Sequence, residues 1–266
     1  MRFSRKYVIA ALVAVAASAV GVAVPAFAAE TAAGKYVALG DSYASGLGAG
    51  DYGDSGSCKR SANAYAQQWA NTHAPSAFEF AACSGAVTAD VLSSQVGAIT
   101  PDTELITISI GGNDAGFADV MTDCNLGSDS ACVNRNQEAQ NFARTTLPGR
   151  LNDVYTQLRN RAPSAHVVVL GYPHIYELDG SCWVGLSETK RAAINQSSAV
   201  LASIISGRAA AFGFGYIDAR NTFRGHEICA SGARWINSVT WPVDESYHPN
   251  AAGQRGGYYN ALESVA

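Results

Sequence analysis

The chain has 266 residues, 48% of them hydrophobic and 15% charged, and its 18 Lys and Arg against 22 Asp and Glu give a formal net charge of −4. That apolar content suffices for a packed core and excludes a chain that stays disordered. The acidic balance excludes nucleic acid or an anionic membrane as an electrostatic partner. Arg2, Arg5 and Lys6 precede an apolar run, Tyr7 to Val24, that ends in Pro25-Ala26-Phe27-Ala28-Ala29. Basic head, apolar middle and small-residue end predict a secretory signal peptide over residues 1–28, cleaved after Ala28. The alternative for this run is an uncleaved anchor, since its length is near the minimum for a membrane span. Removing residues 1–28 takes away three basic residues and no acid, so the mature chain, 29–266, is more acidic still, at about −7. No Pro/Ser-rich linker, repeat or low-complexity tract divides it, and one domain is expected.

The first strand is expected over Tyr36–Leu39, a short apolar run broken at once by Gly40-Asp41-Ser42. The loop Gly46-Leu47-Gly48-Ala49-Gly50 fails as a dinucleotide fingerprint, because Asp51 stands where the third Gly belongs. Asp51-Tyr52-Gly53-Asp54 fails as an EF-hand loop, because Ala62 stands where the closing Glu belongs. A helix is expected over Ser61–Thr72 with Ser61 as cap, and a second strand over Phe78–Ala82, ending in a tight turn at Cys83-Ser84-Gly85-Ala86. Thr88 starts another helix. Glu104–Ile110 is β-branched and nearly uncharged, the pattern of a central strand buried on both faces, and it ends at Gly111-Gly112-Asn113-Asp114. A long helix over Gln137–Arg161, interrupted near Pro148, leads to a fourth strand, Ala165–Leu170. A second long helix over Ser187–Phe212 leads to a fifth strand, Phe214–Ile217, and a closing helix runs over Asn250–Val265. Strands alternating with helices predict βαβ units, a parallel sheet and an α/β fold.

Several of these strand ends carry chemistry-bearing residues, where open α/β sheets place their ligands. Ser42 offers a hydroxyl that needs a base and an anion-stabilising pocket to act as a nucleophile. Gly85 offers a main-chain N–H that no Cβ obstructs, and Asn113 a side-chain amide donor. His248, in Asp244-Glu245-Ser246-Tyr247-His248-Pro249-Asn250, offers an imidazole. The blocks around Ser42, Gly85, Asn113 and His248, in that order and spanning nearly the whole mature chain, resemble the four blocks of the GDSL, or SGNH, serine hydrolases. The similarity is nearest to the secreted actinobacterial lipases and phospholipases of that family. Gly40-Asp41-Ser42-Tyr43-Ala44 is not the Gly-x-Ser-x-Gly elbow of the α/β-hydrolases, and it lies much earlier in the chain.

The resemblance implies a three-layer α/β/α sandwich with a flavodoxin-like parallel sheet of five strands. It implies Ser42 as nucleophile, His248 as general base, and an oxyanion hole built from Gly85, Asn113 and the Ser42 N–H. The family's usual third member is an Asp three residues before the His; Glu245 stands there, with Asp244 one earlier. Some actinobacterial relatives use a main-chain carbonyl instead, which here implies the carbonyl of Ser246 as the group that orients His248. Six cysteines in an exported chain imply three disulfides among fifteen possible pairings. Chain order and the resemblance together favour Cys58–Cys83, Cys124–Cys132 and Cys182–Cys229. The expected protein is a secreted, extracellular, monomeric carboxylic-ester hydrolase that needs no cofactor and no metal. Its partners are lipid or other small esters, with transient contact to a lipid interface and none to nucleic acid. Tyr43, Leu47 and Phe117 are candidates to line an acyl cleft. A carbohydrate or small-ester deacetylase on the same scaffold, and a catalytically silent binding protein, stay open as other readings.

Overall fold

Five parallel strands in the order β2-β1-β3-β4-β5 form the sheet: β1 Lys35–Gly40, β2 Phe78–Phe80, β3 Thr103–Ser109, β4 His166–Leu170 and β5 Gly215–Ile217. The computed structural model describes residues 34–266 together with Met1, so residues 2–28 of the expected signal segment lie outside the described residues. The strand order is the flavodoxin-like one, and it reverses direction between β1 and β3, the place where α/β sheets hold ligands. Both strands are buried nearly end to end, which is why they are written in apolar and β-branched residues rather than in alternation. The one polar side chain in the middle of β3, Thr107, is matched by the hydroxyls of Tyr36 (2.8 Å) and Tyr65 (3.3 Å). Helices cover both faces and make the three-layer sandwich. One set is led by Tyr65–His73 and the C-terminal segment, the other by Leu147–Arg161 and Glu188–Ala211.

Several elements differ from their expected bounds for identifiable reasons. The helix expected from Ser61 begins at Tyr65, because the acceptor at its N-terminus is not Ser61. The Tyr65 N–H goes to the side chain of Gln254, 189 residues later, at 3.0 Å. The long helix ending at Arg161 is two helices, Asp129–Thr145 and Leu147–Arg161. Pro148 sits in the first turn of the second, where its missing N–H is no loss. Ser128 caps the first by accepting from the Ala131 N–H at 3.2 Å. A helix that the sequence pattern did not reveal, Phe117–Leu126, is joined to the next by the Cys124–Cys132 disulfide. The remaining pairs are Cys58–Cys83 and Cys182–Cys229.

The loops at the carboxyl ends of β1, β2 and β3 converge, and β1 must turn sharply to deliver Ser42. Gly40 has φ +122°, and a Cβ built there would lie 2.2 Å from the Ser109 carbonyl oxygen on β3. The side chain of Gln95 holds this glycine at both ends, accepting from its N–H at 2.7 Å and donating to its C=O at 2.9 Å. Gly40→Ala is therefore expected to destabilise the protein by about 3 kcal/mol or more. Urea unfolding monitored by circular dichroism checks this; a loss below about 1 kcal/mol would mean that the turn relaxes freely.

Candidate active site

Ser42 opens a single helical turn, Ser42–Ser45, whose cap is Asp41. The Asp41 carboxylate accepts from the Tyr43 N–H at 3.0 Å. Its other oxygen takes a short hydrogen bond from the Tyr172 hydroxyl, which in turn accepts from the Gly112 N–H at 3.1 Å. One phenol thus fastens the Ser42 turn to the loop that carries Asn113. Burial pushes the Asp41 carboxyl up to about 7, an effect that the Tyr172 hydroxyl and the Tyr43 N–H partly offset.

His248 comes from the opposite end of the chain. Its Nε2 lies 2.8 Å from Ser42 Oγ and its Nδ1 lies 2.9 Å from the main-chain oxygen of Ser246. A carbonyl oxygen only accepts, so Nδ1 carries the ring proton and the Nε2 lone pair faces the serine hydroxyl. Glu245 is turned elsewhere and accepts from the Tyr52 hydroxyl at 2.7 Å. Tyr247 adopts φ +65°, a rare conformation for a bulky side chain, and it is held there from three sides. Its carbonyl accepts from Tyr43 Oη (2.7 Å), its N–H donates to the Asn237 carbonyl (2.9 Å) and its hydroxyl donates to Asn125 (2.9 Å). Burial pushes the His248 imidazole down to about 4, against an upward pull from the Ser246 carbonyl and Asp244. The ring is therefore neutral, with its lone pair free, well below the ordinary imidazole range.

The turn Cys83–Ala86 is closed by Ala86 N–H to Cys83 C=O at 3.1 Å and anchored by Cys83 N–H to Gly40 C=O at 3.0 Å. Gly85 has φ +83°, but a Cβ there would meet nothing within 4 Å. Its positive φ is a conformation that glycine adopts without strain. The Gly85 N–H finds no acceptor among the described residues. Asn113 donates one amide hydrogen to the Ala86 carbonyl at 3.0 Å, which leaves its second hydrogen available. The next residue, Asp114, accepts from Thr88 N (2.9 Å), Thr88 Oγ1 (2.6 Å) and Arg150 (2.9 Å), and so locks the Asn113 loop onto the element after Gly85. The Ser42 N–H, at the first position of its helical turn, belongs to the set that a helix leaves without an internal acceptor.

Ser42, Gly85, Asn113, Ser246 and His248 line one open groove of about 580 Å³ whose walls are mostly apolar. Leu47 and Phe117 line it too. Tyr43 does not: it is buried beneath, its ring 5.1 Å from both the Tyr172 and His248 rings. The loop residues His174 and His226 do not line the groove; His226 stacks on Trp235. Asp41, Tyr172 and Gln95 were missed from sequence. Tyr172 had one usable signal, since it follows β4 by two residues, the same carboxyl-end position that marks Ser42 after β1. Among the described residues, no group of three or more His, Cys, Asp or Glu side chains is placed to hold a metal ion.

A serine hydroxyl facing a neutral imidazole, at the carboxyl ends of a doubly wound sheet and beside unpaired N–H donors, is the layout of a serine hydrolase. The chain belongs to the GDSL-like Lipase/Acylhydrolase family, which its residues 38–255 match. It is 53% identical to Lipase 1 of Streptomyces coelicolor over 257 residues, 96% of this chain and 95% of that one. It is similar to the crystal structure of phospholipase A1 from Streptomyces albidoflavus NA297, with a TM-score of 0.86 at 54% identity, covering 88% of this chain and all of that one. The extracellular lipase of Streptomyces rimosus aligns with a TM-score of 0.85 at 52% identity, covering 88% of this chain and 100% of that one.

The low His248 value has a kinetic consequence. If this ring is the base, kcat/KM on a soluble ester should fall on the acid side with a midpoint between about pH 4 and 5. A midpoint near 6.5 would mean that the imidazole is not held dry and neutral. Because its folded value lies below its unfolded one, the same ring stabilises the fold above pH 6.5, and that stability is lost as pH falls toward 4.

Proposed function

We propose that this chain is a secreted, monomeric carboxylic-ester hydrolase that acts on lipid esters through an acyl-enzyme. The observation that carries the reading is the 2.8 Å contact between Ser42 Oγ and the lone-pair side of His248, set in a mostly apolar groove. His248 Nε2 takes the Ser42 proton as Oγ attacks the ester carbonyl. The N–H groups of Ser42 and Gly85 and the free amide hydrogen of Asn113 hold the oxyanion, where one donor is typically worth about 10²–10³ in kcat. The alcohol leaves with the proton that His248 now carries. Water, deprotonated by the same nitrogen, attacks the acyl carbon, and the acid departs as Ser42 recovers its proton. The Ser246 carbonyl keeps the ring in the one tautomer that can do this.

The substrate class rests on the groove and on the relatives named lipase and phospholipase A1. A deacetylase wants a short, small pocket; this groove holds about 580 Å³ and is bordered by exposed apolar side chains. Leu126, Val239 and Val243 border it, and Trp241 lies between the last two in sequence, with exposures of 64–87%. Such side chains favour a lipid–water boundary, and Trp241 in particular suits one. Export rests on the basic head, apolar run and Ala-x-Ala end of residues 1–28, and on the relative named an extracellular lipase. Among the described residues no helix is long and apolar enough to cross a membrane.

The test is acid release by pH-stat from phosphatidylcholine vesicles, a triacylglycerol emulsion and acetylated xylan. Fatty acid should be released from at least one of the two lipids, and Ser42→Ala should abolish the release. Trp241→Ala should lower the rate on aggregated lipid about tenfold while leaving a soluble short-chain ester untouched. Acetate release alone would assign the protein to the deacetylases, and release that survives Ser42→Ala would remove this mechanism.

A further inference from the structure

Behind the groove lie two small internal cavities, each with about 30 Å³ of free volume, and one side chain borders all three spaces. The first cavity is lined by Ser42, Asn113, Phe117, Ile175 and Leu201 among others, and the second by Phe117, Val120, Ile194 and Leu201. Phe117 lines the groove and both cavities, Ser42 and Asn113 line the groove and the first cavity, and the Phe117 ring lies 6.3 Å from the His248 ring. Leu201 and Ser198, on the helix Glu188–Ala211, line both cavities and not the groove. Gly116, immediately before Phe117, has φ +78°, which starts the helix Phe117–Leu126 with this ring aimed inward. Empty space walled by apolar side chains is otherwise a cost to a packed core.

We propose that the Phe117 ring walls the acyl-binding site off from these two cavities and so limits the length of acyl chain the enzyme accepts. The inference rests on the ester-hydrolase reading above. A chain bonded at Ser42 meets Phe117 first among the apolar side chains of the helix Phe117–Leu126, and the ring bars it from the cavities. The cavities behind it are the continuation that the ring denies. Truncating Phe117 joins these cavities, of about 30 Å³ each, to the groove and extends the space open to an acyl chain. A larger ring shortens the site. Phe117 is thus a specificity-determining residue rather than a catalytic one.

The experiment measures kcat/KM for p-nitrophenyl esters from butyrate to palmitate. Wild type, Phe117→Ala, Phe117→Leu and Phe117→Trp are compared, with Phe117→Ala/Leu201→Phe to refill the cavities. Each methylene newly received should add roughly fourfold to kcat/KM, so the ratio of long to short ester should rise tenfold or more in Phe117→Ala. It should rise less in Phe117→Leu, fall in Phe117→Trp, and return toward wild type in the double variant. The same ranking should appear in fatty-acid affinity measured by calorimetry in the Ser42→Ala background, where no turnover is needed. Ratios within twofold of wild type in variants that still melt cooperatively would overturn the assignment, as would a double variant that behaves like Phe117→Ala. If wild type hydrolysed none of these esters, the hydrolase reading would fall, while the calorimetric ranking would still decide the wall.

Discussion

An imidazole held dry, with a main-chain carbonyl and no carboxylate on its second nitrogen, is the constraint on which the rest of the site depends. A buried ring that met a poorly aligned partner would turn or take a proton, and its lone pair would leave Ser42. The surroundings of His248 all act against that. Tyr247 is kept in a left-handed conformation so that Ser246 and His248 double back on each other. Asn237 and His248 share a main-chain bond of 2.9 Å, and Gly48 lets the chain pass so close that a Cβ there would lie 2.9 Å from His248 Cβ. Tyr43, the residue after the serine, donates to the carbonyl of Tyr247, the residue before the histidine. Ser42 and His248 are thus bonded neighbours twice over, although 206 residues separate them.

The same logic extends to the proposed oxyanion donors, which come from three loops and are worth little unless those loops keep fixed distances. Each pair of loops has its own fastener. The Tyr172 hydroxyl joins Asp41 to Gly112, Asn113 joins its loop to Ala86, and Asp114 with Arg150 and Thr88 repeats that link one residue further out. Cys58–Cys83 pins the third loop from behind. Typical buried hydrogen bonds contribute about 1 kcal/mol each, but an orphaned partner costs about 1–3 kcal/mol. A network in which one phenol serves two loops is therefore intolerant of partial loss. Placing Asp41 in this dry layer has its own cost, visible as a carboxyl pushed up to about 7.

What could be read in the sequence was what is encoded locally. Ser42, Gly85, Asn113 and His248 sit in short blocks next to strand ends, and the strands announce themselves because both faces are buried. What could not be read is encoded by pairs of residues far apart. Gln254 serves as the cap of the helix at Tyr65, and its other amide end bonds the Tyr43 carbonyl at 3.0 Å; no window of neighbouring residues contains that information. Tyr172 reads as an ordinary aromatic after a strand until its hydroxyl is seen between two loops. The helix Phe117–Leu126 is short and carries Asp119 and Asp123 on its exposed side, so its apolar period is diluted. Glu245 occupies the expected place of an orienting acid, and only its bond to Tyr52 tells that it faces away.

The central claim is a Ser42–His248 dyad oriented by the Ser246 carbonyl, with no carboxylate in the relay. It is tested most directly by the rate at which a long-chain alkyl phosphonate ester modifies Ser42. That rate would be followed by intact-protein and peptide mass spectrometry in wild type, His248→Ala and Glu245→Ala. Labelling should be confined to Ser42, slow by about 10³-fold or more without the imidazole, and change less than tenfold without Glu245. Comparable losses in the two variants, or a label on another residue, would contradict it.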